Sequence, residues 1–96
     1  MAMPEIIVEK NLSDARKAEL GIASWNIWDC PVRQFRLDFD AESEHSYILE
    51  GEIVVTPDGG TPVTVVPGDY VIFPKGLTSM WSVTKTLKKH YMKTAD

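Results

Sequence analysis

The sequence has one cysteine and two histidines in 96 residues. Cys30 cannot form an internal disulfide and has no Cys-x-x-Cys partner, so we expect a buried structural thiol in a reducing, cytoplasmic protein. No apolar run approaches the roughly 18 residues that span a bilayer, and residues 1–4 carry no charged leader, so we expect no membrane partner. The formal charge is -4 with no basic cluster longer than residues 88–90, which argues against nucleic acid as a partner.

The composition is that of a folded globular chain. Hydrophobic residues make up 44% and charged residues 25% of the sequence, which argues against a disordered tail or a pure coiled coil. The length is below the roughly 150 residues of a typical domain. We therefore expect a single domain over residues 1–96.

The pattern of turns and apolar runs predicts an all-β fold with at most one short helix. Asn11 and Ser13 can cap the start of a helix and Gly21 its end, which predicts a helix near residues 12–20. After residue 21, proline and glycine recur at strand-scale spacing, and nothing there is typical of a helix. Strand-length runs are expected at residues 6–8, 35–39, 53–55, 63–66 and 70–73. Asp58 and Gly59 predict a hairpin turn, and the whole pattern favours a sandwich or barrel.

Two spaced motifs resemble the signature of the cupins. Glu44 is followed after six residues by Gly51, as in the latter half of the first cupin motif. Gly68 is followed after five residues by Pro74-Lys75-Gly76, as in the second. The resemblance implies a cupin (RmlC-like jelly-roll) conical β-barrel.

A wider set of residues resembles one subgroup of cupins over residues 5 to 93. This subgroup holds the small single-domain cupins grouped with ureidoglycine aminohydrolase and with the ethanolamine-utilisation cupin. The likeness rests on Trp25, Trp28, Cys30, Phe35, the run from Tyr47 to Glu52, the run from Thr56 to Gly60, Phe73 to Gly76, Trp81, Val83 and Lys89 to Tyr91. It implies a barrel that is often dimerised, so we expect a homodimer.

The same resemblance shows what the pocket lacks. Metal-binding cupins carry two histidines before the motif glutamate and a third after Pro-x-Gly. Here the third position falls on Ser79, and strand alternation turns Leu37 and Phe39, rather than Asp38 and Asp40, into the barrel. These side chains are poor ligands for a transition metal. We expect no tightly bound metal and no other cofactor.

Glu44 is then a carboxylate that faces an apolar pocket without a cation. A buried carboxylate must be protonated, hydrogen-bonded or paired with a base. Lys89 and Tyr91 share a face of the last strand, coincide with a Lys-x-Tyr of the subgroup, and are the expected partners. Ser79 and Trp81 are expected to line the same cavity. As an alternative, Glu44, Lys89 and Tyr91 form a polar network that only braces the barrel.

The two histidines are expected outside the pocket. His45 and His90 alternate against Glu44 and Lys89, so they should lie at the surface or an interface. A surface metal site made by both histidines with Asp38 or Asp40 is the alternative. The aromatic residues Trp25, Trp28, Phe35 and Phe39 are interpreted as core and dimer packing.

Three function classes remain open. The first is a non-metal cupin that binds a small organic molecule through Glu44, Lys89 and Tyr91. The second is an isomerase, lyase or aminohydrolase in which Glu44 is the general acid or base and Tyr91 or Lys89 its proton partner. The third is a structural dimer whose barrel is filled by its own side chains. A cavity above roughly 300 Å³ would argue against the third class.

Overall fold

A computed structural model describes residues 4–95. It contains β1 (Ile7–Glu9), α1 (Asp14–Leu20), a 3-10 turn (Ile22–Ser24), β2 (Asn26–Cys30), β3 (Arg33–Asp38), β4 (Ser43–Pro57), β5 (Val63–Val65), β6 (Tyr70–Phe73) and β7 (Thr78–Thr94). The predictions of a single domain over residues 1–96 and of no charged leader at residues 1–4 both involve residues 1–3, which, like residue 96, lie outside the described part.

Two long antiparallel strands, β4 and β7, organise the sheet. Their pairing runs from Ser43 opposite Thr94 to Pro57 opposite Ser79. At one end β6 and β1 extend the sheet beyond β4, and β2 extends it beyond β7; at the other end β5 pairs with β4 and β3 with β7. Each long strand therefore pairs with different short strands at its two ends. This gives the all-β jelly-roll arrangement that the sequence predicts.

The bend between the two ends lies at residues 48–53 of β4. The register of the β4–β7 pair shifts between Ile48 and Glu50, between Glu50 and Glu52, and between Glu52 and Ile53. Gly51 has φ +92°, and a Cβ at this position would lie 2.2 Å from the carbonyl oxygen of Thr86. The motif glycine is thus required because β7 approaches the bend too closely for a side chain.

Alternation along β4 separates an interior from an outer face. Glu44, Ser46 and Ile48 are buried on the interior side, where they share the barrel with a large apolar cluster. That cluster consists of Cys30, Phe39, Ile48, Ile53, Val55, Val65, Val71, Phe73, Leu77, Trp81, Val83 and Leu87. A second, smaller cluster of Leu12, Ile22, Tyr47 and Tyr70 lies under the N-terminal segment. The buried, unpaired thiol of Cys30 is where the sequence predicts it.

The N-terminal helix forms where its caps predict it. The Ser13 hydroxyl accepts a hydrogen bond from the Arg16 amide at 3.1 Å, and Gly21 ends the helix in the left-handed conformation at φ +71°. The expectation that nothing after residue 21 is helical is wrong by one turn, since residues Ile22–Ser24 form a 3-10 turn. A 3-10 helix is held by hydrogen bonds between residues three apart, and this one is a single turn long. It is therefore too short to produce a repeating apolar pattern in the sequence.

The five predicted strand runs all overlap strands of the structure, and the run at residues 70–73 coincides with β6. The hairpin at Asp58 and Gly59 joins β4 to β5, with Val55 paired to Val63. Strand β2 (Asn26–Cys30) carries no strong alternation, because it pairs only with β7 and is mostly exposed. The 15 residues of β4 far exceed the predicted run at residues 53–55, and no run was predicted for the 17 residues of β7, because both long strands carry many polar residues among their apolar ones.

Candidate ligand pocket

A cavity of about 220 Å³ lies between the two halves of the sheet, with Glu44 and Lys89 from one half and Phe35, Leu37 and Trp81 from the other. Strands β2, β3, β4 and β7 form its walls. The lining residues are Trp28, Phe35, Leu37, Glu44, Trp81, Lys89, Tyr91 and Lys93. Four of these eight side chains are aromatic and three are charged, so the cavity combines flat apolar walls with a few ionic groups.

A buried ion pair forms the polar centre of this cavity. The Lys89 ammonium group binds Oε2 of Glu44, and both side chains are less than a tenth exposed. The Ser46 hydroxyl donates a hydrogen bond to the same Oε2 at 2.8 Å and accepts one from Lys89 Nζ at 3.1 Å. The expected partnership of Glu44 with Lys89 or Tyr91 is therefore met by Lys89, with Ser46 as a third member that the sequence did not predict.

Four aromatic rings surround the Lys89 ammonium group. Its nitrogen lies 4.7 Å from the ring centroid of Trp81, 5.1 Å from Trp28, 5.7 Å from Phe73 and 5.9 Å from Tyr91. Ring faces attract a cation at these distances. Tyr91 thus contacts the ion pair through its ring, and within residues 4–95 its hydroxyl makes no hydrogen bond to Glu44.

Burial sets the acid–base properties of this lysine. Removal from water lowers the pKa of Lys89, and attraction to Glu44 opposes that shift without cancelling it. The positive charge of Lys93 lowers the pKa further. Lys89 therefore releases its proton more readily than an exposed lysine does.

The ion pair retains capacity for further hydrogen bonds. Both hydrogen bonds to the Glu44 carboxylate go to Oε2, and none from the described residues reaches Oε1. Lys89 donates to Glu44 and to Ser46, which uses two of its three donors. A small molecule in the cavity can therefore donate a hydrogen bond to Oε1 of Glu44 without displacing Lys89.

The predicted lining residues divide into two layers. Leu37 and Trp81 lie on the cavity wall, whereas Phe39 and Ser79 lie behind it. Phe39 stacks on Phe73 with ring centroids 5.5 Å apart. The Ser79 hydroxyl donates to the Leu37 carbonyl at 2.7 Å and accepts from Trp81 Nε1 at 3.2 Å. Ser79 therefore holds the Trp81 ring in place and does not itself face the cavity.

Three lining residues were missed by the sequence reasoning. Trp28 and Phe35 were interpreted as packing residues, yet they stand opposite Lys89 and Trp81 in the strand pairing. Lys93 follows Tyr91 by two residues, so the alternation that predicted Lys89 and Tyr91 extends to it. The first two could not be found from sequence, because the pairing of β2 and β3 with β7 is a tertiary feature.

The residues present do not fit a transition metal. The Lys89 ammonium group takes the place beside Glu44 Oε2, and an ammonium group has no lone pair to donate to a metal. Leu37 and Phe39 are apolar, and both hydrogen bonds of the Ser79 hydroxyl are internal. Across residues 4–95, no three His, Cys, Asp or Glu side chains converge on a common point.

The two histidines lie away from the cavity, on the opposite side of the sheet. His45 Nδ1 lies 2.7 Å from the Tyr70 hydroxyl, and its ring meets Trp25 edge-on. His90 lines a separate cavity of about 320 Å³ beneath α1. The alternative surface metal site of both histidines with Asp38 or Asp40 is not assembled in the described part of the chain, where no three potential metal ligands converge.

The cavity at Glu44 is small for a ligand site. Its volume falls below the roughly 300 Å³ that would argue against a barrel filled by its own side chains. The case for a ligand therefore rests on the ionic groups and the aromatic walls, and not on size.

Comparisons with known proteins identify the family to which this fold belongs. The model of the EutQ-like cupin domain matches residues 17–91. The chain belongs to the EutQ-like cupin family. A DUF861 family protein from Thermotoga maritima is 36% identical over 94% of this chain and 100% of its own, with a TM-score of 0.88. The predicted cupin fold is confirmed.

Two larger EutQ proteins share the fold at lower identity. The EutQ protein of Clostridium difficile is 20% identical, with a TM-score of 0.64, over 72% of this chain and 49% of its own. A putative ethanolamine utilization protein Q from Salmonella typhimurium gives the same identity and TM-score over 72% of this chain and 55% of its own. No curated protein matches the chain. No helix within residues 4–95 is long and apolar enough to cross a membrane.

Proposed function

We propose that this EutQ-like cupin binds a small organic molecule in the cavity of Glu44, Lys89 and Tyr91, without a tightly bound metal. The observation that carries the proposal is the buried ion pair on the cavity wall, with Glu44 Oε1 free of hydrogen bonds from the described residues. Apolar pockets with a few convergent polar groups are typical of ligand sites. The volume limits the ligand to a few carbon atoms or one small ring.

The ligand itself can be found in protein purified from its own organism. Native mass spectrometry of the wild type should show a bound small molecule that is released on unfolding. Leu37→Trp fills the cavity and should abolish the extra mass, whereas Gln34→Trp, on the exposed face of the same strand, should retain it. The same extracted molecules from wild type and Leu37→Trp would contradict the proposal.

The absence of a tightly bound metal has its own measurement. Elemental analysis of the purified protein should give far less than one transition metal per chain, because Lys89 occupies the place of a cation beside Glu44. Stoichiometric iron, manganese, nickel or zinc that survives mild chelation would overturn this part of the proposal.

An enzyme is the second candidate, and one observation favours it. Lys89 has a lowered pKa and contacts the Glu44 carboxylate directly, so a proton can pass between them. The proposed resemblance to the ureidoglycine aminohydrolase group fits isomerase, lyase or aminohydrolase chemistry, with Glu44 as general acid or base. We also propose a cytoplasmic location, which the single unpaired cysteine supports.

A further inference from the structure

We propose that Lys89 is a nucleophilic amine that captures small 2-oxo acids in the cavity as a Schiff base. This inference rests on the proposed function, because it uses the same cavity, and it names the class of ligand. It adds a covalent step that simple binding does not require.

The position of Lys89 meets the needs of an amine nucleophile. Lys89 is the only lysine that is buried within residues 4–95, and it lines a cavity wide enough for a few heavy atoms. Lysines that form Schiff bases are desolvated in apolar pockets, which increases the fraction of neutral amine. Burial of Lys89 in this cavity provides that desolvation, and its effect on the pKa exceeds the opposing attraction to Glu44.

The other charges of the cavity indicate an acid ligand. Lys93 also lines the cavity and is exposed, so it can pair with a carboxylate at the open side. Glu44 is the only acidic lining residue, and Lys89 neutralises it. A carbonyl next to a carboxylate therefore fits between Lys89 and Lys93, and the volume restricts the rest of the molecule to a short chain.

The reaction balances with the groups present. Lys89 transfers one proton to Glu44, and the neutral amine attacks the carbonyl carbon to form a C–N bond. The nitrogen then gives up a proton as the former carbonyl oxygen becomes a hydroxyl group. Glu44 returns its proton to that hydroxyl group, which leaves as water while the C=N bond forms. The products are a protonated imine and one water molecule, with no change in oxidation state.

Reductive trapping of the wild-type protein tests the proposal without a variant. The protein is incubated with pyruvate and cyanoborohydride near pH 7, and the reduced adduct is quantified at each lysine by peptide mapping. The N-terminal amine is quantified separately. Adduct at Lys89 should exceed that at exposed Lys85 or at Lys88 severalfold, because burial lowers the pKa of Lys89 and leaves more of its amine neutral.

The pH dependence follows from the lowered pKa of Lys89. Near pH 7 an exposed lysine is almost fully protonated, whereas Lys89 has a larger neutral fraction. As the pH rises toward the ordinary lysine value of 10.5, the exposed lysines lose their protons as well. The preference for Lys89 should therefore fall as the pH rises.

Two matched variants separate the amine from the charge. Lys89→Arg keeps a cation beside Glu44 but cannot form the imine, so the adduct at this position should disappear and other lysines should keep their background levels. Lys88→Arg changes the neighbouring residue, whose side chain lies on the other face of β7, and should leave the Lys89 adduct unchanged. Circular dichroism of both variants reports whether the fold is retained.

The outcomes distinguish this inference from the proposed function. Saturation-transfer NMR measures pyruvate binding apart from chemistry. Binding without a Lys89 adduct would overturn the Schiff base and leave a non-covalent binding protein. Equal adducts on all lysines would overturn it as well, whereas a selective Lys89 adduct supports it even if no ligand copurifies with the protein.

Discussion

At the residue scale, the Glu44 carboxylate and the Lys89 ammonium group depend on each other. Each is buried among apolar and aromatic side chains, where a single charge is costly. Ser46 completes the arrangement, because its hydroxyl donates to one partner and accepts from the other. The pair is therefore structural as well as a candidate binding site, and the two roles can be separated by mutation.

Removing the charge of Glu44 should be strongly destabilising. In Glu44→Gln the buried Lys89 ammonium loses its counterion, and loss of one partner of a buried pair costs about 3–5 kcal/mol in free energy of unfolding. The double variant Glu44→Gln with Lys89→Met removes both charges and should recover most of that loss. Urea unfolding of the two variants measures the difference.

Glu50→Gln is the matched control for this prediction. Glu50 lies on the same strand but is exposed, so its free energy of unfolding should change by less than about 0.5 kcal/mol. If Glu44→Gln is as stable as Glu50→Gln and loses only its ligand, Glu44 contributes to binding and not to the fold.

At the element scale, the bend of β4 against β7 determines where the cavity lies. The interior residues before the bend include Glu44 and Ser46, and those after it include Ile53 and Val55. The register shifts at residues 48–53 change the alternation, so that even-numbered residues face the interior before the bend and odd-numbered residues face it afterwards.

Gly51→Ala should destabilise the protein more than Gly68→Ala. Both glycines have nearly the same positive φ, +92° and +93°, so both alanine variants carry a backbone strain of about 1–3 kcal/mol. Only at residue 51 would the new Cβ also meet backbone, 2.2 Å from the Thr86 oxygen, whereas nothing lies within 4 Å at residue 68. Equal thermal unfolding temperatures for the two variants would show that β7 can move away from the bend.

At the scale of the whole molecule, the homodimer stays a prediction. Two of the three large exposed hydrophobic residues of the described chain, Ile27 and Val32, lie on or next to the edge strand β2, and Ile7 lies on β1. A chain of this size gains buried apolar area by pairing. We expect a dimer by light scattering at tens of micromolar, approximately the range in which weak pairs form.

The β2 edge can be tested against the β1 edge. Ile27→Glu should shift the mass to that of a monomer, because a charge at a paired edge is costly to bury. Ile7→Glu places the same charge on the opposite edge and should leave the mass unchanged. A monomer in the wild type would contradict the prediction, and it would also weigh against the structural-dimer class.

Local chemistry accounts for the parts of this protein that could be predicted from the sequence. Proline and glycine exclude long helices after Gly21, and Ser13 and Gly21 cap the helix that precedes it. Alternation places His45 and His90 on the sheet face opposite Glu44 and Lys89. These features depend on residues near one another along the chain, so they are visible without the fold.

The tertiary structure decided which interior residues meet at one place. The resemblance of two spaced motifs to the cupin signature predicts the cupin barrel and the position of Glu44 in it. Only strand pairing brings Trp28 and Phe35 to the cavity, moves Phe39 and Ser79 behind its wall, and selects Lys89 rather than Tyr91 as the partner of Glu44. The reason is that alternation fixes the face of a strand on which a side chain lies, whereas the register between distant strands fixes its neighbours.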